Sequence, residues 1–403
     1  MGFTASVRID YKRKSCYRGW LSKTVKETSL SDFDMSIANP KLRKILKRAL
    51  NDEYPTLEDL QTLYLAQGRE ILLIGLIADI IRERQVGNVI TYVVNRNINF
   101  TNICSKKCMF CAYSVGPNSK IGYFDISVEN FRKKIEETKP FKITEVCIQG
   151  GIHPKLNYEM YLKILDNLTA VDSSLHIHAF SPQEIFHAAK TGEIDIETVL
   201  IEFKRHGLGS LPGTAAEILN DDIRKTICPN KINTSKWIEI IELAHELRIP
   251  TTSTILFGHI ENSNHWITHL SILKQIQERT GGFTEFIPLP FIAENTLLRK
   301  KASNSILNLT QLDYIKFYSI ARLFLGEIIR NIQTSWVKLG FPLAELTLKA
   351  GCNDFGGTLF EENITRSAGG IFGQFTKPEK FQKSITQLQR RYCERGTLYN
   401  LLC

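Results

Sequence analysis

Along this chain, short runs of β-branched and apolar residues alternate with longer stretches whose apolar positions recur at helical spacing. From about residue 40 to 87 the pattern is helical, and Thr56 ahead of Glu58 and Asp59 reads as an N-cap. A β-rich run, VITYVVNRNIN, follows over 89–99. Beyond it the spacing predicts helices over 127–138, 158–171, 182–190, 234–247, 264–279 and 310–332. Strands are predicted over 143–149, 175–180, 198–203, 251–257 and 283–288, with a weak one at 336–340.

Alternation of this kind implies right-handed βαβ units and a parallel sheet. Six or seven such units suit an α/β fold of the (β/α)8 TIM-type barrel class better than an open doubly wound sheet. A dinucleotide fold would also place G-x-G-x-x-G after its first strand, where this chain carries a cysteine loop. The expected organisation is an irregular extension over 1–38, a helical preface over 39–87, a barrel core over 88–330, and a C-terminal completion and tail over 331–403.

Composition changes this picture little. Hydrophobic residues are 43% and charged residues 23% of the 403, which excludes disordered and collagen-like classes. The net charge is +9, but basic residues concentrate only in KLRKILKR (41–48) and in the tail from Lys377 to Arg395. The first is an amphipathic surface helix with a solvated basic face, and no zinc finger or RNA module accompanies it, so nucleic acid is not an expected partner. The most apolar window, ILLIGLIADII (71–81), is about half the ~20 residues a bilayer requires and contains Asp79. A buried helix, no membrane partner and no secretory signal follow, and the expected compartment is the cytoplasm. Nine cysteines, odd in number and mostly scattered, do not make a secreted disulfide framework.

Three of those cysteines carry the chemistry. Cys104-Ser-Lys-Lys-Cys108-Met-Phe-Cys111 sits on the loop after the first predicted strand, which a barrel places on its C-terminal face among the active-site loops. A [4Fe–4S] cluster normally takes four cysteine ligands, so three leave one iron free for a substrate. A Cys₃His zinc site is the other reading of three thiolates, but zinc modules pair two close hooks and the sequence offers one. Iron reconstitution separates the two: a colourless zinc or nucleic-acid binding protein on one side, a brown iron–sulfur enzyme on the other.

C-x₃-C-x₂-C in this position resembles the radical S-adenosylmethionine superfamily. The resemblance implies that Cys104, Cys108 and Cys111 hold a [4Fe–4S] cluster whose open iron chelates S-adenosylmethionine, the source of a 5′-deoxyadenosyl radical. It implies further that Phe110 packs near the adenine, and that Gly150 and Gly151 bring bare backbone to the methionyl amino group. Further segments extend the likeness: NRNINFTNIC, ITEVCIQGGIHP, HIHAFSP, LPGTAAEIL, ICPNKI, GGFTEFIPLPF and NDFGGTLFEENITRSAG. Together they resemble the CofH-type family, the second subunit of FO synthase, from about residue 40 to 375.

That family's reaction, as the resemblance implies it, cleaves Cα–Cβ of L-tyrosine and adds the 4-hydroxybenzyl group to C5 of 5-amino-6-(D-ribitylamino)uracil. FO synthase subunit 1 then closes the deazaflavin ring. The nearest rivals are the menaquinone-pathway siblings, aminofutalosine synthase and cyclic dehypoxanthinyl futalosine synthase. Polar residues at predicted strand ends are candidates to hold the substrates: His176, His178, Glu202, Arg205, His259, Glu285, Asn353 and Asp354. None is assigned a catalytic role.

Overall fold

The computed structural model describes residues 35–403. Most of the extension expected over 1–38, and Cys16 with it, therefore lies outside the described residues. The preface is three helices, α1 (Pro40–Leu50), α2 (Leu57–Leu65) and α3 (Arg69–Val86). Asn39 caps α1, and its apolar stripe Leu42, Ile45, Leu46, Ala49 and Leu50 is buried while Lys41, Lys44 and Lys47 point away. Helix α3 contains the apolar window and packs along a later helix, α12 (Gln311–Leu325). No helix among the described residues is long and apolar enough to cross a membrane.

The barrel follows. Its strands are β1 (Val89–Val93), β2 (Asn95–Asn99), β3 (Glu145–Gln149), β4 (His176–Ala179), β5 (Leu208–Ser210), β6 (Thr251–Phe257), β7 (Phe283–Pro290) and β8 (Asp354–Gly357). All pairings between them are parallel. Order β2-β3-β4-β5 passes to β6 through the Leu211–Thr251 bridge. From β7 the ring crosses to residues 332–333, through Phe286–Ile332 and Gln333–Asp354, and reaches β8. Strand β8 pairs with β1, which closes the circle. The first strand is thus β1 with β2, and residues 332–333 serve as the seventh.

Between strands run α4 (Val128–Glu136), α5 (Tyr158–Val171), α6 (Pro182–Gly192), α7 (Ile196–Arg205), α8 (Asp221–Ile227), α9 (Thr234–Glu246) and α10 (Ser263–Thr280). The later helices are α11 (Leu297–Ala302), α12, α13 (Trp336–Leu348), α14 (Asn363–Ser367) and α15 (Pro378–Gln387), before a last strand β9 (Arg391–Glu394). Most start at Ser, Thr, Asn or Asp, whose side chains accept from the first-turn amides.

Three predicted elements are corrected. The 198–203 strand is the interior of helix α7, capped by Asp195 and burying Val199, Leu200 and Phe203 at helical spacing. Residues 336–340 open helix α13 instead of forming a strand. Helix α12 ends at Leu325, and the chain beyond it supplies the seventh strand near residue 332. The cysteines outside the cluster loop are not all isolated either. Cys393 and Cys403 form a disulfide, because residues 395 and 401 pair antiparallel and fold the terminus back on itself.

Strand β9 pairs in parallel with β1 on the barrel's N-terminal side. From it the terminal residues reach into the ring, so the C-terminus closes the base of the barrel.

A candidate radical site over a polar barrel floor

Barrel interiors are usually filled by branched aliphatic side chains. This one is hollow. A cavity of about 390 Å³ runs down the axis, and its wall is built by the alternation of the strands. Asn95, Asn97 and Asn99 of β2 face it, as do Glu145, Cys147 and Gln149 of β3, His178 of β4, and Glu285, Ile287 and Leu289 of β7. The run NRNIN therefore reads as three inward asparagines.

Cys104, Cys108 and Cys111 line the mouth of this cavity. Cys108 is buried and the other two are half-buried. Sγ of Cys104 accepts from the backbone amides of Ile152 (3.3 Å) and Lys106 (3.5 Å). Burial pushes the Cys108 thiol up to about 12, against the pull of nearby Lys231. Lys231 is half-buried against Glu217, 2.6 Å away, and its Nζ lies 5.4 Å from the centre of the Phe110 ring. Phe110 lines the same wall. Among the described residues no three His, Cys, Asp or Glu side chains gather as a single-ion cage. A cuboidal cluster requires none, since each thiolate binds a different iron.

Gly150 and Gly151 line the mouth beside the cysteines. A Cβ at Gly150 would lie 2.2 Å from the Phe100 ring, and one at Gly151 2.3 Å from the Ile103 carbonyl and 2.9 Å from Cys104 Cβ. Both positions are thus glycine because the cluster loop packs directly on this turn. Gly151→Ala should destabilise the fold by about 1–3 kcal/mol through overpacking. It should also lower iron occupancy after anaerobic reconstitution, read as iron and sulfide per chain. Full occupancy in a stable variant would contradict this packing argument.

Several polar atoms at the mouth lack partners. Glu184 spends Oε2 on the Ser181 amide and hydroxyl, both at 2.7 Å, and leaves Oε1 unpaired. Gln183 Nε2 and Asn99 Oδ1 are likewise buried without partners. All three residues line the cavity. Burial lifts the Glu184 carboxyl to about 7 despite the Ser181 hydrogen bonds and the pull of the Gly150 amide. Unpaired buried groups of this kind are costly and mark a place for a polar ligand.

The floor is a second polar layer. Glu145 accepts from Asn95 Nδ2 (3.0 Å) and Thr397 Oγ1 (2.7 Å). Burial opposes its charge, but His178 and these two hydrogen bonds outweigh burial and hold it below the ordinary carboxylate range. Arg395 makes a two-pronged contact to Asp354 (2.6 and 3.0 Å) and lies 3.6 Å from Glu285. Tyr399 donates to Glu285 (2.7 Å), and its ring centre is 4.0 Å from the Arg395 guanidinium. Burial raises Glu285 to about 7, with Arg395 pulling the other way.

The sequence candidates divide sharply. His178 and Glu285 line the cavity, and His176 lies half-buried beside Ser210. Asp354 is fully buried and holds Arg395, while Asn353 accepts from Arg322. His259 is buried against Glu261, which also accepts from the Gly258 amide and the Trp266 indole, so this pair shapes the turn after β6. Glu202 and Arg205 form a surface pair on α7, far from the strand end where the misread strand would have put them. Sequence reasoning missed Gln183, Glu184, Ser210, Arg395 and Thr397. The capping box over Ser181–Glu184 was legible, but not its free oxygen.

Comparison with known proteins agrees with this geometry. Residues 98–273 match the model of the radical SAM superfamily, and residues 280–400 the CofH/MqnC C-terminal region. A relative from Archaeoglobus fulgidus, 5-amino-6-(D-ribitylamino)uracil–L-tyrosine 4-hydroxyphenyl transferase, is 48% identical over 326 residues, covering 81% of this chain and 92% of that protein. The enzyme of the same name from Methanocaldococcus jannaschii is 46% identical, with coverage of 81% and 91%. Among solved structures, methylornithine synthase superposes with a TM-score of 0.68 at 17% identity, covering 86% of this chain and 97% of that one. HydG, a maturase of the [FeFe]-hydrogenase, gives 0.68 at 14%, covering 89% and 77%. These last two likenesses establish the barrel. The identity of the curated relatives goes further, and the chain belongs to the radical S-adenosylmethionine superfamily and, within it, to the CofH-type family.

Proposed function

We propose that this chain is the tyrosine-cleaving transferase that attaches a 4-hydroxybenzyl group to 5-amino-6-(D-ribitylamino)uracil. The observation that carries the reading is identity of 43–48% to curated transferases of that name over 81–89% of the chain. The C-terminal model spans CofH and MqnC alike, so it is these relatives that separate the transferase from the menaquinone-pathway siblings.

Members of this superfamily use a [4Fe–4S] cluster and S-adenosylmethionine. In our reading Cys104, Cys108 and Cys111 are the cluster's protein ligands. The residues fit such a group. Two backbone amides already point at Cys104 Sγ, and three unpaired polar groups, on Glu184, Gln183 and Asn99, surround the same mouth. Bound there, the cofactor pair supplies a primary carbon radical. Glu184 and Asn99 then offer acceptors to the cofactor's amino or hydroxyl groups, and Gln183 a donor to its carboxylate. Phe110 gives its adenine an apolar wall, and Gly150 and Gly151 let the cluster loop close on β3.

Below the mouth, the protein's task is to hold two substrates in contact and away from water, because a benzyl radical is quenched by any stray hydrogen donor. The polar floor suits the ribityl hydroxyls and the uracil edge. Charge alone argues for no polyanion, since tyrosine is zwitterionic and the pyrimidine neutral. We place this chemistry in the cytoplasm, with FO synthase subunit 1 taking the adduct onward.

Ring-labelled tyrosine provides the test. The reconstituted, reduced chain with S-adenosylmethionine and both substrates should give one product carrying the label and the intact ribityl uracil by mass spectrometry. Consumption of a chorismate-derived enol ether instead of tyrosine would assign the chain to a menaquinone-pathway reaction.

A further inference from the structure

Joining a benzyl carbon to C5 of the aminouracil has an acid–base consequence. C5 already carries an amino group, so the new bond makes it fully substituted and leaves the unpaired electron on C6. A closed-shell product forms when C6 gives up that electron and the exocyclic 6-amino nitrogen gives up its N–H proton, creating a C6=N bond. The electron would go to a one-electron acceptor, for which an oxidised iron–sulfur cluster held by Cys104, Cys108 and Cys111 would serve. The proton needs a base inside a closed barrel. This argument rests on the transferase reading above.

Among the described residues, six carboxyl and imidazole side chains line the cavity; Glu217 is spent on Lys231 and Glu362 on the Thr365 amide, which leaves four candidates. Glu184 is at the mouth, beside the cluster loop. Glu145 has both oxygens engaged, by Asn95 and Thr397. Glu285 is held by Tyr399 and faces Arg395. His178 differs from all three. Its Nδ1 lies 2.7 Å from Ser210 Oγ, while its Nε2 makes no hydrogen bond and the residue lines the cavity. Ser210 Oγ is also 2.7 Å from Nε2 of His176. One hydroxyl thus joins two imidazoles, the inner one buried and the outer one half-buried at the start of β4.

We propose that His178 takes the proton released from the 6-amino nitrogen, and that Ser210 and His176 carry it toward the base of the barrel. A proton arriving at Nε2 displaces the one on Nδ1 to Ser210, whose hydroxyl proton moves to Nε2 of His176. The titratable groups facing His178 are Glu145 and the neutral thiol of Cys147 from β3, His176 on its own strand and Arg395 from the terminus. Burial outweighs Glu145 and holds His178 down to about 4, so it stands neutral at neutral pH with Nε2 unbonded. Glu145, charged in the same layer, stabilises the imidazolium during the transfer.

The test separates cleavage from coupling. In His178→Gln, tyrosine consumption, followed as glyoxylate from 2-iminoacetate, should stay within about threefold, while coupled product falls by about 10²-fold or more. Calorimetry of the cluster-free variant with the aminouracil reads binding apart from coupling. Ser210→Ala keeps the base but breaks the relay. It should lower coupling by about tenfold while cleavage stays unchanged. In the diamagnetic, cluster-free chain, ¹⁵N-histidine spectra should show His178 as a neutral tautomer protonated on Nδ1 at pH 7.

Equal loss of cleavage and coupling in both variants, or loss of aminouracil binding, would make these residues structural and overturn the proposal. Unchanged coupling would do the same. Failure of the transferase reading is distinct, since the unsubstituted enzyme would then form no labelled adduct.

Discussion

Cys108→Ala is expected to remove the iron–sulfur absorbance after anaerobic reconstitution and to lower turnover by at least about three orders of magnitude, because a three-thiolate site has no spare ligand. Cys108 is the buried one of the three, 5% exposed, at the back of the cavity mouth. Two other buried free cysteines do not substitute for it. Cys147 is on β3 below Gln149, and Cys228, near Cys108 and Lys231, does not line the cavity. The substitution deletes a single sulfur from a loop anchored elsewhere, by Met109 N to Ile227 O and by Leu298 N to Met109 O. Thermal unfolding of the cluster-free variant should therefore match the cluster-free parent. A variant that still turns brown with full iron content would show that Cys108 is not a ligand. One that is colourless and also unfolds would say nothing of ligation, so Cys111→Ala, at the half-exposed edge, is the companion measurement.

Arg395→Ala is the substitution with the largest expected effect on stability, about 3–5 kcal/mol lost. Arg395 is 2% exposed and stands between Asp354 and Glu285, both buried. Its removal leaves two carboxyl groups in a dry layer with no cation. Arg395→Lys should recover part of the loss but not the two-pronged contact to Asp354.

The sign of the pH dependence follows from Glu285. Its carboxyl is raised to about 7, so its neutral form favours the fold fully below the ordinary carboxylate range, and that contribution fades as pH rises through about 7. The variant's deficit should accordingly be larger at pH 8 than at pH 5.5. Denaturant melts of the cluster-free chain at those two values measure it. A deficit independent of pH would mean that Glu285 is not the group Arg395 compensates.

The two variants probe opposite ends of one cavity, and the ends were unequally legible. The cysteine loop could be read because its pattern is local: three cysteines within eight residues, on the first strand-to-helix turn of a βα series. Gly150 and Gly151 were visible for the same reason, as a turn one unit later, although their packing on Phe100 and Ile103 was not. Helix α7 was misread because TVLIEF is a short β-branched run, and periodicity does not distinguish strand from helix over six residues. The Asp195 cap and the spacing of Val199, Leu200 and Phe203 were the better signals. The seventh strand escaped because it is reduced to residues 332–333, too short to carry a pattern.

What the sequence determined by itself was the series of strands and capped helices, the closed class of barrel they imply, and the cysteine loop at its mouth. Each of these is written in neighbouring residues, through side-chain alternation, helical spacing or ligand spacing. Only the tertiary structure decided what lies beneath that loop. Thr397 meets Glu145 across 252 positions, Tyr399 meets Glu285 across 114, and Ser210 meets both His176 and His178 more than thirty positions away. Hydrogen bonds and ion pairs between distant segments leave no period in a sequence, because they depend on which strand ends the closed ring brings together. For the same reason a tail that shows only a concentration of basic residues in the sequence turns out to put Arg395 at the base of the cavity, where burial makes its charge matter most.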